Sequence, residues 1–137
     1  MERIKSGEFE WKTLRAEFFD GFHHSLVAFV AAGNNLIVEH IVETEEWMSL
    51  LVKLLAPYDV YFVGIHCPLD ELDRREAFRG DRPPGGARKD FDTIHLHAEY
   101  DLELDSTVHS EECVNLLLAS WDERTSPSAF NRMAAKW

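Results

Sequence analysis

The stretch that decides the fold is residues 59–67, which read DVYFVGIHC. This run is β-branched and aromatic with few polar side chains, so it predicts a buried strand. Pro68 follows at a position that suits the first turn of a helix, and a helix is predicted from Leu69 to Arg79. A strand that leads directly into a helix is the repeating unit of α/β proteins.

Two further strands and four further helices are predicted on either side of this unit. Residues 36–41 are apolar on both faces, as in a covered parallel strand, and residues 100–105 alternate. Apolar spacing predicts helices at residues 11–32, 44–56, 87–98 and 110–121. The buried stripe of the first helix is predicted to consist of Trp11, Leu14, Phe18, Phe22, Leu26, Phe29 and Val30. The order predicts an α/β fold in which helices flank a parallel sheet in three layers.

The length of 137 residues fits a single domain, with a core at about residues 8–121 and a C-terminal tail at 122–137 that is loose or weakly helical. Apolar residues make up 45% of the chain, which is enough for a core. No apolar run approaches the roughly 20 residues needed to span a bilayer. The charged start contains no signal peptide, so we expect a cytoplasmic protein without a membrane partner.

The net charge of −11 argues against nucleic acid as a partner, because an acidic chain repels phosphate backbones. The basic residues are nevertheless concentrated, since six of the 14 lie at residues 74–89. Arg75 and Arg79 share a helix face, and Arg82 follows in a loop rich in glycine and proline. Three guanidinium groups that converge on one point would bind phosphate, whereas the alternative is surface ion pairing with acidic residues of 70–73.

Glu39, followed by His40, comes near the end of the strand predicted at residues 36–41. An acidic residue at the carboxyl end of a parallel strand lies where ligands bind in open α/β sheets. Glu39 is therefore a candidate ligand for Mg²⁺, directly or through water. The alternative is a strand-end residue that faces solvent.

Other histidines and cysteines favour no chemistry by their spacing. His95 and His97 fall in a predicted helix, where their side chains point to different sides, so no zinc site is expected. His66 and Cys67 adjoin at a strand end, but the sequence reveals no third group to orient them as a nucleophile pair. Cys67 and Cys113 are expected to be reduced, buried thiols.

Several motifs together resemble the chloramphenicol phosphotransferase-like kinases. The most specific is the element R-E-x-x-R-G-D-R at residues 75–82, which follows the segment VGIHCP at 63–68. The segments GNNLIVEH at 33–40, YDLELDS at 100–106 and SEEC at 110–113 also resemble the family, and the similarity runs from about Glu8 to Trp121.

The resemblance implies a P-loop kinase fold with a five-stranded parallel sheet. It implies ATP and Mg²⁺ as cofactors and transfer of the γ-phosphate to a hydroxyl group of a small molecule. On the family's pattern, Arg75, Arg79 and Arg82 are lid arginines with catalytic and cofactor-binding roles. Glu39 occupies the family's acidic strand-end position.

The family's pattern begins with a strand, a G-x-x-x-x-G-K-[S/T] phosphate-binding loop and a catalytic Asp, and none of these precedes Glu8. We therefore expect a truncated domain that lacks the first strand and the Walker A loop, that is inactive alone, and whose sheet is open. The sequence leaves open a non-catalytic module that binds an anion, half of a split kinase completed by a second chain, and a homodimer that associates through the open sheet.

Overall fold

The computed structural model describes residues 11–80 and 85–137, which form a mixed α/β architecture of six helices and a parallel two-stranded sheet. The helices are α1 Trp11–Ala31, α2 Glu45–Leu55, α3 Leu69–Arg79, α4 Gly86–Phe91, α5 Ser110–Asp122 and α6 Ala129–Ala134, and the strands are β1 Val63–His66 and β2 Leu102–Asp105. Within these ranges, none of the helices combines the length and the apolar character that crossing a bilayer requires. The chain divides into two compact units, Met1–Glu39 and His40–Trp137. The single domain expected from the length stays a prediction.

The strands β1 and β2 are parallel neighbours, with Val63 opposite Leu102 and His66 opposite Asp105. This confirms strands within the stretches predicted at residues 59–67 and 100–105. The N–H of Ser106 donates to the carbonyl oxygen of His66 at 2.8 Å, so the pairing continues past the carboxyl ends of both strands.

Residues 36–41 are not a strand, contrary to the prediction. Their apolar side chains Leu36, Ile37, Val38 and Ile41 are exposed, Ile37 completely so. A strand needs a neighbour for its N–H and C=O groups, and no strand of the described ranges pairs with this segment. The predicted parallel sheet therefore consists of two strands in the part of the chain that the structure describes.

The buried face of α1 differs from the predicted stripe. His23 is fully buried and Leu26 nearly so, whereas Phe18 and Phe29 are more than half exposed. The rings of Phe19 and Phe22 lie 6.1 and 5.8 Å from that of His23. The buried face therefore passes through a histidine, which a search for apolar residues at helical spacing counts as polar.

The helix predicted at residues 87–98 ends at Phe91 and is followed by turns. The hydroxyl of Thr93 donates to the carbonyl oxygen of Lys89 at 3.1 Å. The N–H groups of Thr93 and Ile94 both bind the carbonyl of Asp90. Short polar side chains that bind the backbone compete with helical hydrogen bonds, which accounts for the early end.

The segment expected to be a loose tail contains α6, which supplies the buried residues Ala129, Phe130 and Met133. This helix packs against α2, and the ring of Phe130 lies edge-on to that of Phe62 at 5.2 Å. The carboxylate of Asp101 accepts the N–H groups of Phe62 at 2.8 Å and Ala129 at 2.6 Å. Of the two states expected for this segment, loose or weakly helical, the structure has a helix at α6, and the large apolar residues Phe130 and Met133 bury it in the core.

Candidate functional site

Arg75 lies at the carboxyl edge of the sheet, where open parallel sheets bind ligands. Its Nη2 donates to the carbonyl oxygen of Ser106 at 2.9 Å and its Nη1 to the Ser106 hydroxyl at 3.2 Å. Its Nε donates to Glu71 at 2.7 Å. Ser106 follows β2 directly, so α3 presents this guanidinium beside the strand ends, with the side chain 44% exposed.

Glu71 binds two arginines from one turn of α3. Its carboxylate accepts both Nε and Nη2 of Arg74 and also Nε of Arg75, all at 2.7 Å. Hydrogen bonds from Arg74 and Arg75 lower the pKa of Glu71 to about 2. The ion pairing weighed as the alternative to phosphate binding is therefore present at Arg74 and Arg75, although Arg75 also keeps its contact with the sheet edge.

Arg79 is exposed in the last turn of α3, directly before Gly80, whose φ of 61° ends the helix in a left-handed conformation. Within residues 11–80 and 85–137 its side chain makes no hydrogen bond or ion pair. Arg82 lies outside the described residues. The structure thus fixes one of the three arginines at the sheet edge and leaves a second open to solvent, and their convergence on one phosphate stays a prediction.

Glu76 joins α3 to the start of α4. Its Oε2 accepts the N–H of Gly85 at 2.8 Å, and its Oε1 accepts the N–H of Ala87 at 3.0 Å. These backbone donors lower the pKa of Glu76 below its ordinary value. Sequence reasoning counted Glu76 only as part of a motif, because no local pattern shows that its carboxylate binds residues nine and eleven positions later.

A histidine cluster lies on one face of the sheet. His66 Nε2 donates to the carboxylate of Glu103 at 2.9 Å, and the ring of His66 lies 4.1 Å from that of His95. Tyr100 donates its hydroxyl proton to His95 Nδ1 at 2.6 Å. Burial raises the pKa of Tyr100 to about 12, and burial also lowers the pKa of His95, so at neutral pH a protonated phenol faces a neutral imidazole.

Gly64 permits this arrangement, since a Cβ built there would lie 2.7 Å from the Tyr100 ring. Glu103 is the orienting group for His66 that sequence reasoning did not find. Side-chain alternation places Gly64, His66 and Glu103 on one face once the register of β1 and β2 is known. The sequence does not specify that register, so it could not reveal the pair.

Glu39 is exposed and belongs to a segment without regular structure. The adjacent ring of His40 stacks on that of Trp47 at 6.0 Å. Within the described ranges, no group of three or more histidine, cysteine or acidic side chains has the geometry to hold a metal ion. A role for Glu39 with Mg²⁺ therefore stays a prediction.

The other histidine and cysteine residues are separated in space. His95 faces Tyr100, whereas His97 lies 3.9 Å from Glu45. Cys67 and Cys113 are free thiols, as expected, but they are half-buried and not buried. The turns at residues 92–97, in place of a helix, direct the two histidine rings to different neighbours.

The fold and this edge define a class of α/β protein in which a helix following a parallel strand presents an arginine at the carboxyl edge of the sheet. The family model described as chloramphenicol phosphotransferase-like protein matches residues 2–122, and the chain belongs to this family. The family resemblance drawn from the motifs is thereby confirmed.

Two curated relatives come from Mycobacterium tuberculosis: MT2714 of strain CDC 1551 / Oshkosh and Rv2636 of strain ATCC 25618 / H37Rv. Both bear the provisional name O-phosphotransferase, and each is 33% identical to this chain over 142 residues. The alignment covers 98% of this chain but 62% of each relative, so the chain spans less than two thirds of their length. No solved structure matches the chain significantly.

Proposed function

We propose that this chain takes part in ATP-dependent transfer of a phosphoryl group to a hydroxyl group of a small molecule. Membership of the family and the names of the relatives support the class of reaction. The observation that carries the proposal is Arg75, held beside the carboxyl ends of two parallel strands by Ser106. A fixed guanidinium at this edge suits an anionic ligand.

The arginines fit the phosphate groups of a nucleotide. Arg75 uses three donors on Glu71 and Ser106, and a guanidinium has five N–H groups, so two are left for a ligand. Arg79 is exposed one helical turn later with no partner among the described residues. We propose that Arg75, Arg79 and Arg82 contact the phosphates together.

For Mg²⁺ the chain offers one candidate carboxylate ligand, Glu39. Mg²⁺ in phosphotransferases is commonly held by one or two carboxylates together with substrate phosphates and water. Glu39 is an exposed carboxylate and can supply one such ligand, directly or through water. Bound Mg²⁺ and ATP would supply the transferable γ-phosphate and neutralise part of its charge.

The positive charge of the arginines determines the role that they would have in phosphoryl transfer. Transfer would break the bond between the γ-phosphorus and the ADP oxygen and form a bond to the acceptor oxygen, and the hydroxyl proton would pass to a base. The guanidinium groups stabilise the charge on the phosphate oxygens and orient them. The 137 residues contain no G-x-x-x-x-G-K-[S/T] loop. We therefore propose that turnover depends on a phosphate-binding loop supplied from outside these residues. The complete site would then have the three-layer P-loop kinase fold.

Calorimetric titration of the chain with Mg-ATP at neutral pH tests the proposal. We expect measurable binding by the chain alone and its loss in Arg79→Ala. The matched control is Arg124→Ala, which removes the same charge from a residue that contacts Trp121 and Asp59 instead. If the parent chain and Arg79→Ala bind Mg-ATP with equal affinity, the proposal that the arginines bind the phosphates is wrong.

Self-association is a second candidate function, favoured by one observation. Residues 36–41 expose four apolar side chains, and β1 pairs on one side only in the described ranges. Unpaired strand edges and β-branched apolar segments favour pairing with another copy. Light scattering should then show a dimer that Ile37→Asp dissociates, whereas Leu96→Asp, at another exposed apolar residue, should leave it intact. A monomer across the accessible concentrations would contradict this candidate.

A further inference from the structure

Glu76, which the proposed function leaves without a role, contacts both ends of the connection between α3 and α4. Its main-chain carbonyl accepts the N–H of Gly80, the residue that ends α3, at 3.4 Å. Its carboxylate accepts the N–H groups of Gly85 and Ala87 at 2.8 and 3.0 Å. A single residue of α3 therefore anchors both the end of its own helix and the start of the next.

The glycines at the start of α4 make this contact feasible. Gly85 has a φ of 99°, which is readily adopted only by a residue without a Cβ. At Gly86 a Cβ would lie 3.4 Å from Glu76 Oε1, so the backbone approaches the carboxylate closely. Because backbone donors lower the pKa of Glu76, the carboxylate is charged at neutral pH and its hydrogen bonds are charge-assisted.

We propose that Glu76 is a positioning residue that holds the main chain at Arg79 in place, an inference that rests on the proposed function. Arg79 lies three residues after Glu76 in the last turn of α3, the part of a helix most prone to fray. Anchoring Gly80 and the start of α4 to Glu76 closes a helical hairpin around that turn. An ion pair between Arg88 and Asp73 at 2.7 Å adds a second link between the two helices.

The experiment compares the chain with Glu76→Gln by NMR relaxation. The amide of Gln has an N–H₂ group where the carboxylate had an acceptor, so at least one backbone N–H loses its partner. We expect the order parameter of the backbone N–H bond of Arg79 to fall in Glu76→Gln. It should stay unchanged in Glu112→Gln, which makes the same charge change on α5. An Arg79 order parameter that is the same in Glu76→Gln and the parent chain overturns the proposal.

A pH titration and a binding measurement separate this role from a purely structural one. The amide shifts of Gly85 and Ala87 should titrate together with a midpoint below 4.5 in the parent chain and not in Glu76→Gln. Mg-ATP affinity should weaken on the order of five-fold in Glu76→Gln, because Arg79 then occupies its binding orientation less often.

The outcomes distinguish the two proposals. If the parent chain binds no Mg-ATP, the proposed function fails, and the Arg79 order parameter still decides whether Glu76 positions the arginine. If the parent chain and Glu76→Gln bind Mg-ATP equally, the positioning role is overturned and the proposed function stands. Amides of Gly85 and Ala87 that do not titrate with Glu76 would also overturn it.

Discussion

Two segments with similar apolar patterns, residues 36–41 and the stretch around β1, end in different states. The β1 segment pairs with β2, and the ring of Phe130 packs against Phe62 just before it. Residues 36–41 have no paired strand in the described ranges, and their apolar side chains face solvent. An apolar, β-branched run can therefore form a strand, but it does so only where a neighbouring backbone and a packing partner are present.

Removing the packing partner of the β1 segment should have the largest effect on stability. Phe130 is almost fully buried, so Phe130→Ala should lower the free energy of unfolding by about 3–5 kcal/mol, measured by urea denaturation. The control is Phe78→Ala, because Phe78 is 90% exposed and should change stability by less than about 0.5 kcal/mol. Equal losses in the two variants would mean that α6 does not support the strand.

Crowding the surface of β1 should have the next largest effect. The Cβ of Gly64→Ala would lie 2.7 Å from the Tyr100 ring, so the variant should lose about 1–3 kcal/mol of stability as the ring is displaced. Gly21→Ala meets no atom within 4 Å in the exposed part of α1 and should gain up to about 1 kcal/mol. Thermal denaturation of both variants checks the opposite signs, and a neutral Gly64→Ala would contradict the close contact.

Features that depend on neighbouring residues could be predicted from the sequence, and features that depend on distant residues could not. Local signals predicted α3 at its observed bounds, and Thr44 caps α2 by accepting the N–H of Trp47 at 3.2 Å. Long-range partners could not be predicted: residues 36–41 have no neighbouring strand in the described ranges, and the packing of α6 in the core leaves no local signal. The candidate site divides in the same way, because the arginines follow from helix spacing, whereas the contact of Arg75 with Ser106 spans 31 residues.

The pairing of His95 with Tyr100 predicts that the free energy of unfolding depends on pH. Burial holds the pKa of folded His95 below the 6.5 of an unfolded chain, so the unfolded state binds more protons between the two values. The free energy of unfolding should therefore fall as pH drops through 6.5 and level off below the folded pKa. His23 has a lowered pKa as well and contributes in the same direction.

Urea denaturation at about pH 7.5 and about pH 5 measures this difference above the range in which most carboxylates titrate. His95→Gln should reduce the difference without abolishing it, because His23 still contributes. Leu96→Gln is the control, because Leu96 is 70% exposed and has no titratable group, and it should keep the full difference. A His95→Gln chain with an unchanged difference would contradict the assignment.

The smallest effect is expected at Ile37, and it sharpens the comparison most. Ile37 is completely exposed, so Ile37→Ser should change the free energy of unfolding of the monomer by less than about 0.5 kcal/mol. Urea denaturation at low protein concentration measures this change. Ile65 on β1 is 62% exposed but belongs to a paired strand, and Ile65→Ser should cost up to about 1 kcal/mol through lost strand propensity. If the loss of unfolding free energy in Ile37→Ser grows with protein concentration, residues 36–41 pair with a second copy of the chain. Only association makes the free energy of unfolding depend on protein concentration.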